Sequence, residues 1–357
     1  MSCKVGIVCN YELKEDRIGG MDRFFKGFNK ELINRGAEVS WFFRGNKKNS
    51  FYKDLDVHLS GKERVEKFFI TQRSAFDDFD VVITHFVELC TPFFKNIKSY
   101  GKGTYVIAVD HNPRPIPGFP IKKRLKNKIK GYLFSPYIDL FVGVSKYTVN
   151  QIIKDYGSAV KNKTRLVYNG VDTTIYKKRK KENRRRFLVA SHLRQSKGIQ
   201  DLIEAVNMLP DEVKKQVKID IYGEGPLESQ LKNRVMDLDL ENIIKFCGST
   251  SALPELFQNY SYLLQPTYME CFSLSILESL ASNVPVITTP VGGNKEIIKE
   301  NENGFIFEAG DVQALSQILK EVVQKERSIN SGVYEQIESD YNLNLMVQNH
   351  IELLPCI

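Results

Sequence analysis

The sequence predicts an α/β protein with two doubly wound parallel sheets, and three observations lead to that prediction. Short β-branched and aromatic runs alternate with amphipathic stretches along most of the chain. The alternation stops once, at the charged run of residues 177–186, and then resumes. With 357 residues, the chain suits two domains of roughly 150–200 residues each better than one.

The first series of predicted elements ends at residue 172. Its apolar runs have the length and composition of strands: 4–9, 39–43, 81–85, 104–109 and 140–145. Between the first two, residues 21–34 carry an apolar face at helical spacing, formed by Phe24, Phe25, Phe28 and Leu32. An Asn-Gly turn signal at residues 169–170 precedes the charged run, which we interpret as part of a linker.

The second series begins at Phe187. Its predicted strands are again short apolar runs: 187–191, 218–222, 243–247, 262–265 and 286–289. A helical stretch at residues 343–354 ends the chain. Ligands of such folds bind beyond the carboxyl ends of the strands, so we expect the active site in a cleft between two domains.

The apolar runs of the sequence indicate where in the cell the protein is expected. The segment MSCKVGIVCNYELK contains no apolar stretch of signal-peptide length. No run approaches the roughly 18 apolar residues of a membrane-spanning helix. We therefore expect a cytoplasmic protein.

The six cysteines are scattered and form no C-x-x-C pair. This spacing argues against a zinc site and against a disulfide framework, so we expect reduced and mostly buried thiols. The cysteines are Cys3, Cys9, Cys90, Cys247, Cys271 and Cys356.

The net charge of +8 is concentrated locally, and one basic cluster runs from Lys122 to Lys130. Apolar residues interleave with this cluster at near-helical spacing: Phe119, Ile121, Leu125, Ile129 and Leu133. Two interpretations stay open, a helix that binds an anionic membrane surface and a helix whose apolar face lies in the core. No nucleic-acid-binding motif accompanies the charge, so we expect no nucleic-acid partner.

Two segments place anion-binding groups at helix starts. Gly19 and Gly20 precede the first predicted helix, where backbone N–H groups attract phosphate, although the dinucleotide fingerprint G-x-G-x-x-G is absent. Arg194 and Lys197 lie at the start of another predicted helix, the end at which the macrodipole disfavours cations. Two cations there are expected to hold a diphosphate without a metal.

Residues 265–296 contain a pair of carboxylates between sheet ends. Glu270 lies in a loop after a strand, and Glu278 lies on the following helix, off the apolar stripe. The stripe consists of Leu274, Leu277, Leu280 and Ala281. Carboxylates accept hydrogen bonds from sugar and ribose hydroxyls, which makes these two candidates for binding a sugar nucleotide.

The same segment resembles the E-x7-E region of retaining glycosyltransferases of family 4, whose members adopt the GT-B fold. The chain reads ECFSLSILE from Glu270 to Glu278, followed by Pro285-Val286 and by GGNKE, which ends at Glu296. Further motifs resemble the family in the same order along nearly the whole chain: Gly19-Gly20, VDH ending at His111, NGVD ending at Asp172, Arg194 with Lys197-Gly198, and YGEGP ending at Pro226.

The resemblance implies two Rossmann-like domains that face each other across a cleft. The N-terminal domain, residues 1–172, would bind the acceptor, and residues 173–340 would bind a nucleotide-diphosphate sugar. The final helix, residues 341–357, would pack back on the N-terminal domain. The implied reaction transfers a sugar with retention, without a metal or other cofactor, to a saccharide or polyprenyl-linked acceptor in surface polysaccharide synthesis, at the inner face of the membrane.

The resemblance also assigns roles to single residues. Arg194 and Lys197 would hold the diphosphate, Glu270 would contact the transferred sugar, and His111 would hydrogen-bond one of its hydroxyls. Glu278 would bind the ribose. Backbone N–H groups would complete the donor site at Gly19, Gly20, Phe272, Ser273 and Leu274.

The chain departs from the family pattern at three glycines. The family has glycines on both sides of Phe272, where this chain has Cys271 and Ser273. A side chain at these positions costs free energy if the loop requires a positive φ. Asn283 replaces another, and asparagine tolerates a left-handed turn. Two alternatives therefore stay open: a nucleotide-sugar epimerase of GT-B fold, and a degenerate, non-catalytic partner subunit.

Overall fold

The computed structural model describes residues 2–13, 18–48, 50–72, 79–101, 103–180, 185–329 and 332–357. The chain divides into two compact units, which are described separately below. Unit 1 comprises Met1–Asn169 and Leu343–Ile357, and unit 2 comprises Gly170–Asn342.

Unit 1 contains, within its described residues, a parallel sheet of seven strands in the order β3-β2-β1-β4-β5-β6-β7. The strands are β1 (Lys4–Glu12), β2 (Glu38–Arg44), β3 (Asp56–Leu59), β4 (Val81–His85), β5 (Tyr105–Asp110), β6 (Leu140–Gly143) and β7 (Thr164–Leu166). The helices are α1 (Gly20–Asn34), α2 (Val65–Gln72), α3 (Pro92–Tyr100), α4 (Ile121–Phe134), α5 (Lys146–Tyr156) and, from the end of the chain, α14 (Leu343–Ile351). The strand order reverses between β1 and β4, which is where ligands of such sheets bind.

Unit 2 contains, in the part that is described, a parallel sheet of six strands in the order β10-β9-β8-β11-β12-β13. The strands are β8 (Arg186–Ala190), β9 (Lys218–Tyr222), β10 (Ile244–Gly248), β11 (Tyr262–Gln265), β12 (Val286–Thr288) and β13 (Gly304–Ile306). The helices are α6 (Ile199–Asn207), α7 (Asp211–Lys214), α8 (Glu228–Asp237), α9 (Leu253–Leu256), α10 (Leu274–Ala281), α11 (Asn294–Ile297), α12 (Val312–Val323) and α13 (Glu335–Asp340). The order reverses between β8 and β11. The predicted fold class, two doubly wound α/β sheets, is confirmed.

The core of unit 1 follows from its sequence patterns. Residues Val5, Ile7 and Val8 of β1 are fully buried, as expected of a central parallel strand covered on both faces. The predicted apolar face of α1 is buried as well, with Phe24 and Phe28 stacked at a centroid distance of 5.4 Å.

Three strands of the described structure were not predicted, namely β3, β7 and β13. Each has only three or four residues and lies at an edge of its sheet.

The interpretation of the charged run as a linker is wrong for the part that is described. Residues 181–184 lie outside the described residues, but Arg179 is 5% exposed and belongs to unit 2. Its guanidinium donates to the carbonyl oxygens of Asn283 (3.1 Å) and Ser261 (2.9 Å). A guanidinium is tolerated in this interior because backbone carbonyl groups satisfy its donors.

The expectation that all thiols are reduced is also wrong, because Cys3 and Cys356 form a disulfide. They are 353 residues apart in sequence, with their Cα atoms 5.9 Å apart. The other four cysteines form no disulfide with any described residue: Cys9, Cys90, Cys247 and Cys271.

Helix α14 brings the end of the chain to unit 1 by packing against α1. The His350 ring lies 4.8 Å from that of Phe24, measured between centroids. The Arg35 guanidinium, just after α1, donates to the Gln348 side chain at 2.9 Å. Residues 343–357 therefore complete unit 1, although the whole of unit 2 separates them from the rest of it in sequence.

Helix α4 turns its apolar residues outward, so the interpretation that its apolar face lies in the core is wrong. The residues that α4 buries are Asn127 and Gly131. A Cβ at position 131 would lie 2.1 Å from the carbonyl oxygen of Tyr156, so the helix approaches the end of α5 through its glycine. The large apolar side chains are left exposed: Ile121 80%, Leu125 62%, Ile129 52%, Tyr132 84% and Leu133 50%.

Candidate functional site

Two loops of unit 2 meet at the carboxyl ends of β8 and β11. Gly198, just before α6, has a left-handed φ of 69°, and a Cβ there would lie 1.7 Å from the carbonyl oxygen of Pro266. Only glycine fits such a contact. The backbone N–H of Tyr268 donates to the Ser196 carbonyl oxygen at 2.8 Å, which fixes the register of the two loops.

This contact brings together two of the predicted catalytic residues, Lys197 and Glu270. The Lys197 Nζ donates to Glu270 Oε2 at 2.8 Å, and the two side chains are 19% and 17% exposed. The other oxygen, Glu270 Oε1, accepts from the backbone N–H of Cys271 at 3.2 Å. Gly292 packs against the same loop, since a Cβ there would lie 2.0 Å from the Glu270 carbonyl oxygen. The pair is a charge-assisted hydrogen bond held in a constrained loop.

Arg194 lies at the start of the same loop as Lys197 and is exposed. Among the described residues, none forms a hydrogen bond or an ion pair with its guanidinium. Its planar set of N–H donors therefore remains available for an anionic ligand.

The start of α10 provides backbone donors rather than side chains. Ser273 is the N-cap: its Oγ accepts from the Ile276 backbone N–H at 3.4 Å and from Gln265 Nε2 at 2.5 Å. Phe272 is 2% exposed, and its ring centroid lies 5.4 Å from that of Tyr341. Leu274, expected on the buried face, is half-buried. The first N–H groups of a helix lack intrahelical partners and favour an anion.

The glycine replacements fit this loop without strain. Neither Cys271 nor Ser273 adopts a positive φ, and Ser273 has a φ of −75°. Asn283 has a φ of 58°, in the left-handed region that asparagine tolerates. The cost considered for Cys271 and Ser273 therefore does not arise.

Glu278 lies on α10 with its side chain half-buried, whereas Leu277 and Leu280 on the same helix are fully buried. Leu274, one turn earlier on α10, is half-buried as well, so Glu278 lies at the less buried edge of the helix. Glu278 follows Glu270 along the same loop–helix segment. All the donor-site candidates of unit 2 lie between β8 and the end of α10.

Gly19 and Gly20 lie at the start of α1, as predicted, but the Gly19 N–H is already bonded. It donates to Asp22 Oδ2 at 2.8 Å, and the same oxygen accepts from the Tyr11 hydroxyl at 3.0 Å. The Tyr52 hydroxyl donates to the other oxygen of this fully buried carboxylate. The sequence analysis did not single out Asp22; the available signal was an acidic residue at the third position of the helix, as in a capping box.

His111 follows β5 in unit 1, and its ring belongs to a histidine cluster. Its Nε2 lies 3.0 Å from Nδ1 of the fully buried His85, and its ring stacks on Phe86 at a centroid distance of 4.2 Å. Burial, reinforced by the nearby His350, lowers the pKa of His111 to about 3. The imidazole is therefore neutral near pH 7 and suited to hydrogen bonding rather than to charge stabilisation.

The described residues provide neither a cluster of metal ligands nor a helix suited to cross a membrane. Within them, histidine, cysteine, aspartate and glutamate side chains form no group of three or more with the geometry of a metal site. None of the helices in the described ranges combines the length and the apolarity that a membrane span requires.

Two family models match consecutive parts of the chain. The model "Glycosyltransferase Family 4" matches residues 18–175, and "Glycosyl transferases group 1" matches residues 171–336. Together the matches include most of unit 1 and the donor-site candidates of unit 2.

Curated relatives agree with these models. The chain is 25% identical to the N-acetyl-alpha-D-glucosaminyl L-malate synthase of Bacillus anthracis over 377 residues, which covers 95% of this chain and 94% of the relative. It is 28% identical over 183 residues to the amylovoran biosynthesis glycosyltransferase AmsK of Erwinia amylovora, covering 47% and 44% of the two chains.

Solved structures of similar fold cover the whole chain. Anabaena HepE in complex with UDP-glucose superposes with a TM-score of 0.78 at 19% identity, covering 99% of this chain and 100% of the other. The lipopolysaccharide outer core galactosyltransferase WaaB, in its apo form, gives a TM-score of 0.73 at 17% identity, covering 98% of each chain. At these identities the likeness shows the fold.

Proposed function

Because this chain belongs to glycosyltransferase family 4 and has the GT-B fold, we propose that it transfers a sugar with retention from a nucleotide-diphosphate sugar to a saccharide acceptor. The observation that carries the proposal is the Lys197–Glu270 pair beside the exposed Arg194. Two cations suit a diphosphate, and a carboxylate suits sugar hydroxyls. The matched relatives give no support to the epimerase or to a non-catalytic subunit.

A uridine nucleotide and a role in polysaccharide synthesis are the favoured details. HepE, which shares the fold along the whole chain, binds UDP-glucose, and AmsK is named for the synthesis of a polysaccharide. In this proposal Glu278 accepts hydrogen bonds from the ribose, and the N–H groups at Phe272, Ser273 and Leu274 bind phosphate oxygens.

In the proposed reaction, the bond between the sugar C1 and the phosphate oxygen breaks, and its electron pair leaves with the nucleoside diphosphate. The acceptor hydroxyl forms the new C1–O bond on the same face, and its proton passes to the leaving phosphate. Arg194 and Lys197 stabilise the negative charge that develops on that phosphate. They take the place of a divalent metal, while Glu270 hydrogen-bonds the sugar.

The proposal is tested by measuring nucleoside diphosphate release from UDP-, GDP- and ADP-sugars in the presence of EDTA. We expect one donor to be turned over, and Lys197→Ala to lower kcat by about 100-fold or more, since it removes charge stabilisation at the transition state. Lys232→Ala is the matched control, because Lys232 forms a comparable ion pair with Glu228 on α8, at 2.6 Å.

Unchanged turnover in Lys197→Ala would contradict the proposed site. A requirement for a divalent metal would contradict the metal-independent mechanism. Conversion of the donor to an isomer without any acceptor would indicate an epimerase instead.

We also propose that α4 holds the protein at an anionic membrane surface. Its exposed apolar residues, such as Leu125 and Ile129, are interleaved with the basic residues between Lys122 and Lys130. Apolar side chains enter the interfacial region of a bilayer, while the basic ones attract anionic headgroups. Charge complementarity thus favours an anionic lipid surface as the partner.

Membrane binding is measured by co-sedimentation with vesicles of phosphatidylcholine, with and without phosphatidylglycerol. We expect binding only to the anionic vesicles, weaker binding at high salt, and loss of binding in Leu125→Glu/Ile129→Glu. Met236→Glu is the control, since Met236 is 57% exposed on α8 of unit 2. Equal sedimentation of all three proteins would contradict the assignment.

A further inference from the structure

A network of buried polar side chains connects two parts of unit 2, the loop that carries Lys197 and the start of α10. Each side chain of this network is at most 4% exposed. Burial removes the hydrogen bonds of such groups to water, so their partners must come from the protein. The network consists of Gln265, Thr267, Ser273, Thr288, Thr289 and Asn294.

Thr267 connects the network to the backbone on both sides of the Lys197–Glu270 pair. Its hydroxyl is shared between the carbonyl oxygens of Ser196, at 3.1 Å, and Met269, at 3.0 Å. Ser196 directly precedes Lys197, and Met269 directly precedes Glu270. One buried hydroxyl therefore holds the two backbone segments from which the ion pair is formed.

Thr289 and Asn294 extend the network from Thr267. The Thr289 hydroxyl donates to the Thr267 carbonyl oxygen at 2.6 Å. The Asn294 side-chain amide donates to the Thr289 carbonyl oxygen and to Thr288 Oγ1, both at 3.2 Å, and reaches Gln265 Oε1 at 3.4 Å. Gln265 ends β11 and Thr288 ends β12, so the Asn294 amide joins the ends of two neighbouring strands.

Gln265 carries the network to the start of α10. Its Nε2 donates to Ser273 Oγ at 2.5 Å, and the same oxygen accepts from the Ile276 backbone N–H at 3.4 Å. Ser273 stands where the family has a glycine, which has no side chain to accept either hydrogen bond. The serine thus supplies a link between β11 and α10 that the family pattern lacks.

We propose that this network positions the Lys197 loop against the start of α10, so that the Lys197 ammonium and the first N–H groups of α10 bind one diphosphate together; this inference rests on the proposed glycosyltransferase function. Gln265 and Thr289 are then positioning residues, because they act through groups that contact the donor. Fixed positions are what gives such groups their effect on a developing charge. Buried hydrogen bonds provide them, since they are directional and are strengthened by the low local dielectric.

The proposal predicts which part of the nucleotide depends on the network. The diphosphate needs Lys197 and the start of α10 in register, whereas the ribose is assigned to Glu278, further along the helix. A loosened network should therefore weaken binding of UDP and leave binding of uridine, which lacks both phosphates, nearly unchanged. A smaller folded fraction would instead reduce the number of binding sites and change neither Kd.

The first test removes one hydroxyl with little change in volume. Thr289→Val is expected to raise the Kd of UDP about tenfold and to change the Kd of uridine less than about twofold. Thr289→Ser keeps the hydroxyl and should bind UDP like the wild type. Calorimetric titration measures UDP, and saturation-transfer NMR measures uridine, both with the full chain. If the donor assay identifies GDP or ADP as the product, that nucleotide and its nucleoside are the probes.

Ser279→Ala is the control for this pair. It also removes a buried hydrogen bond of unit 2, from the Ser279 hydroxyl to the Val284 carbonyl oxygen at 2.8 Å, but one outside the network. Thermal unfolding is expected to show a comparable loss of stability in Ser279→Ala and Thr289→Val. UDP binding should weaken in Thr289→Val alone.

The second test is a double-mutant cycle at the start of α10. Gln265→Leu removes the donor to Ser273 Oγ, and Ser273→Gly introduces the glycine of the family. We expect Gln265→Leu to raise the Kd of UDP about tenfold in the wild type but about threefold or less in Ser273→Gly, where the shared hydrogen bond is already absent. Equal effects in the two backgrounds would contradict the link. If Gln265→Leu does not fold, the Thr289 variants decide.

Three results overturn the proposal: unchanged UDP binding in Thr289→Val, equal weakening of UDP and uridine, and a Thr289→Ser variant as weak as Thr289→Val. If the wild type releases nucleotide from its donor and any of these results is found, the network assignment alone fails. If the wild type neither releases nor binds UDP, GDP or ADP, the proposed function itself fails, and this inference with it.

Discussion

Lys197 owes its position to a contact between two backbones. Gly198 has a left-handed φ, and its Cα faces the Pro266 carbonyl oxygen so closely that no side chain fits. The Lys197–Glu270 pair forms across this contact. The proposed donor site therefore depends on the fit of the two loops as well as on its charges.

Gly198→Ala is expected to destabilise unit 2 and to abolish donor turnover, because the new Cβ pushes the two loops apart. Gly36→Ala is the matched control: Gly36 also has a positive φ, of 83°, but a Cβ there meets nothing within 4 Å. It should cost only the conformational penalty of a left-handed residue, about 1–2 kcal/mol, and leave turnover unchanged. Enzyme assays and thermal unfolding measure both effects, and equal loss of activity in the two variants would contradict the argument.

Single residues differ in how well the sequence predicts them. Lys197 and Glu270 belong to linear motifs, so their meeting in one site could be expected from sequence alone. The burial of Asp22 and of Asn127 could not, because each depends on packing with another element of the fold. Asp22 accepts from Tyr52, and Asn127 is buried where α4 meets α5.

At the scale of the element, α4 shows what a periodic pattern leaves open. The spacing of its apolar residues predicts a helix, and the structure has one at Ile121–Phe134. The spacing alone does not predict which face of the helix packs against the core. Here Gly131 decides it, because its lack of a side chain lets α4 approach the backbone of Tyr156.

Helix α14 is expected to make the stability of unit 1 dependent on pH. Burial lowers the pKa of His350 to about 4, whereas an unfolded histidine titrates near pH 6.5. Between these values the unfolded chain binds the proton and the folded chain does not, so stability falls as the pH falls. The loss is about 1.4 kcal/mol per pH unit for this one residue.

Urea unfolding followed by the fluorescence of Trp41 measures this effect, because the single tryptophan is fully buried in unit 1. His350→Gln should give a shallower loss of stability between pH 6.5 and pH 4, whatever its effect at pH 7.5. Leu345→Gln, an exposed position on the same helix, should keep the wild-type slope. Identical slopes for all three proteins would contradict the assignment.

At the scale of the molecule, the sequence predicted two parallel-sheet units but not the covalent link between the chain ends. Cys3 and Cys356 are separated by 353 residues and belong to no spacing motif. Their meeting depends on α14 packing against α1, which is a property of the completed fold.

Reduction of the Cys3–Cys356 disulfide is expected to lower the stability of unit 1 by about 2–4 kcal/mol, because the link restricts the unfolded chain. Unfolding followed by Trp41 fluorescence, with and without a phosphine reductant, measures the change. Cys3→Ser should match the reduced protein and should not respond to the reductant. A response of equal size in Cys3→Ser would show that the effect arises elsewhere.

The division of unit 1 into two stretches of sequence also sets an order of events during synthesis. Unit 2 is translated whole before Leu343–Ile357 leaves the ribosome, whereas unit 1 must wait for that last stretch. Until then, the aromatic face of α1 that receives His350, at Phe24 and Phe28, has no covering helix. A nascent chain halted at residue 342 would therefore carry a complete unit 2 and an incomplete unit 1 with exposed phenylalanines, which is the kind of apolar surface that chaperones bind.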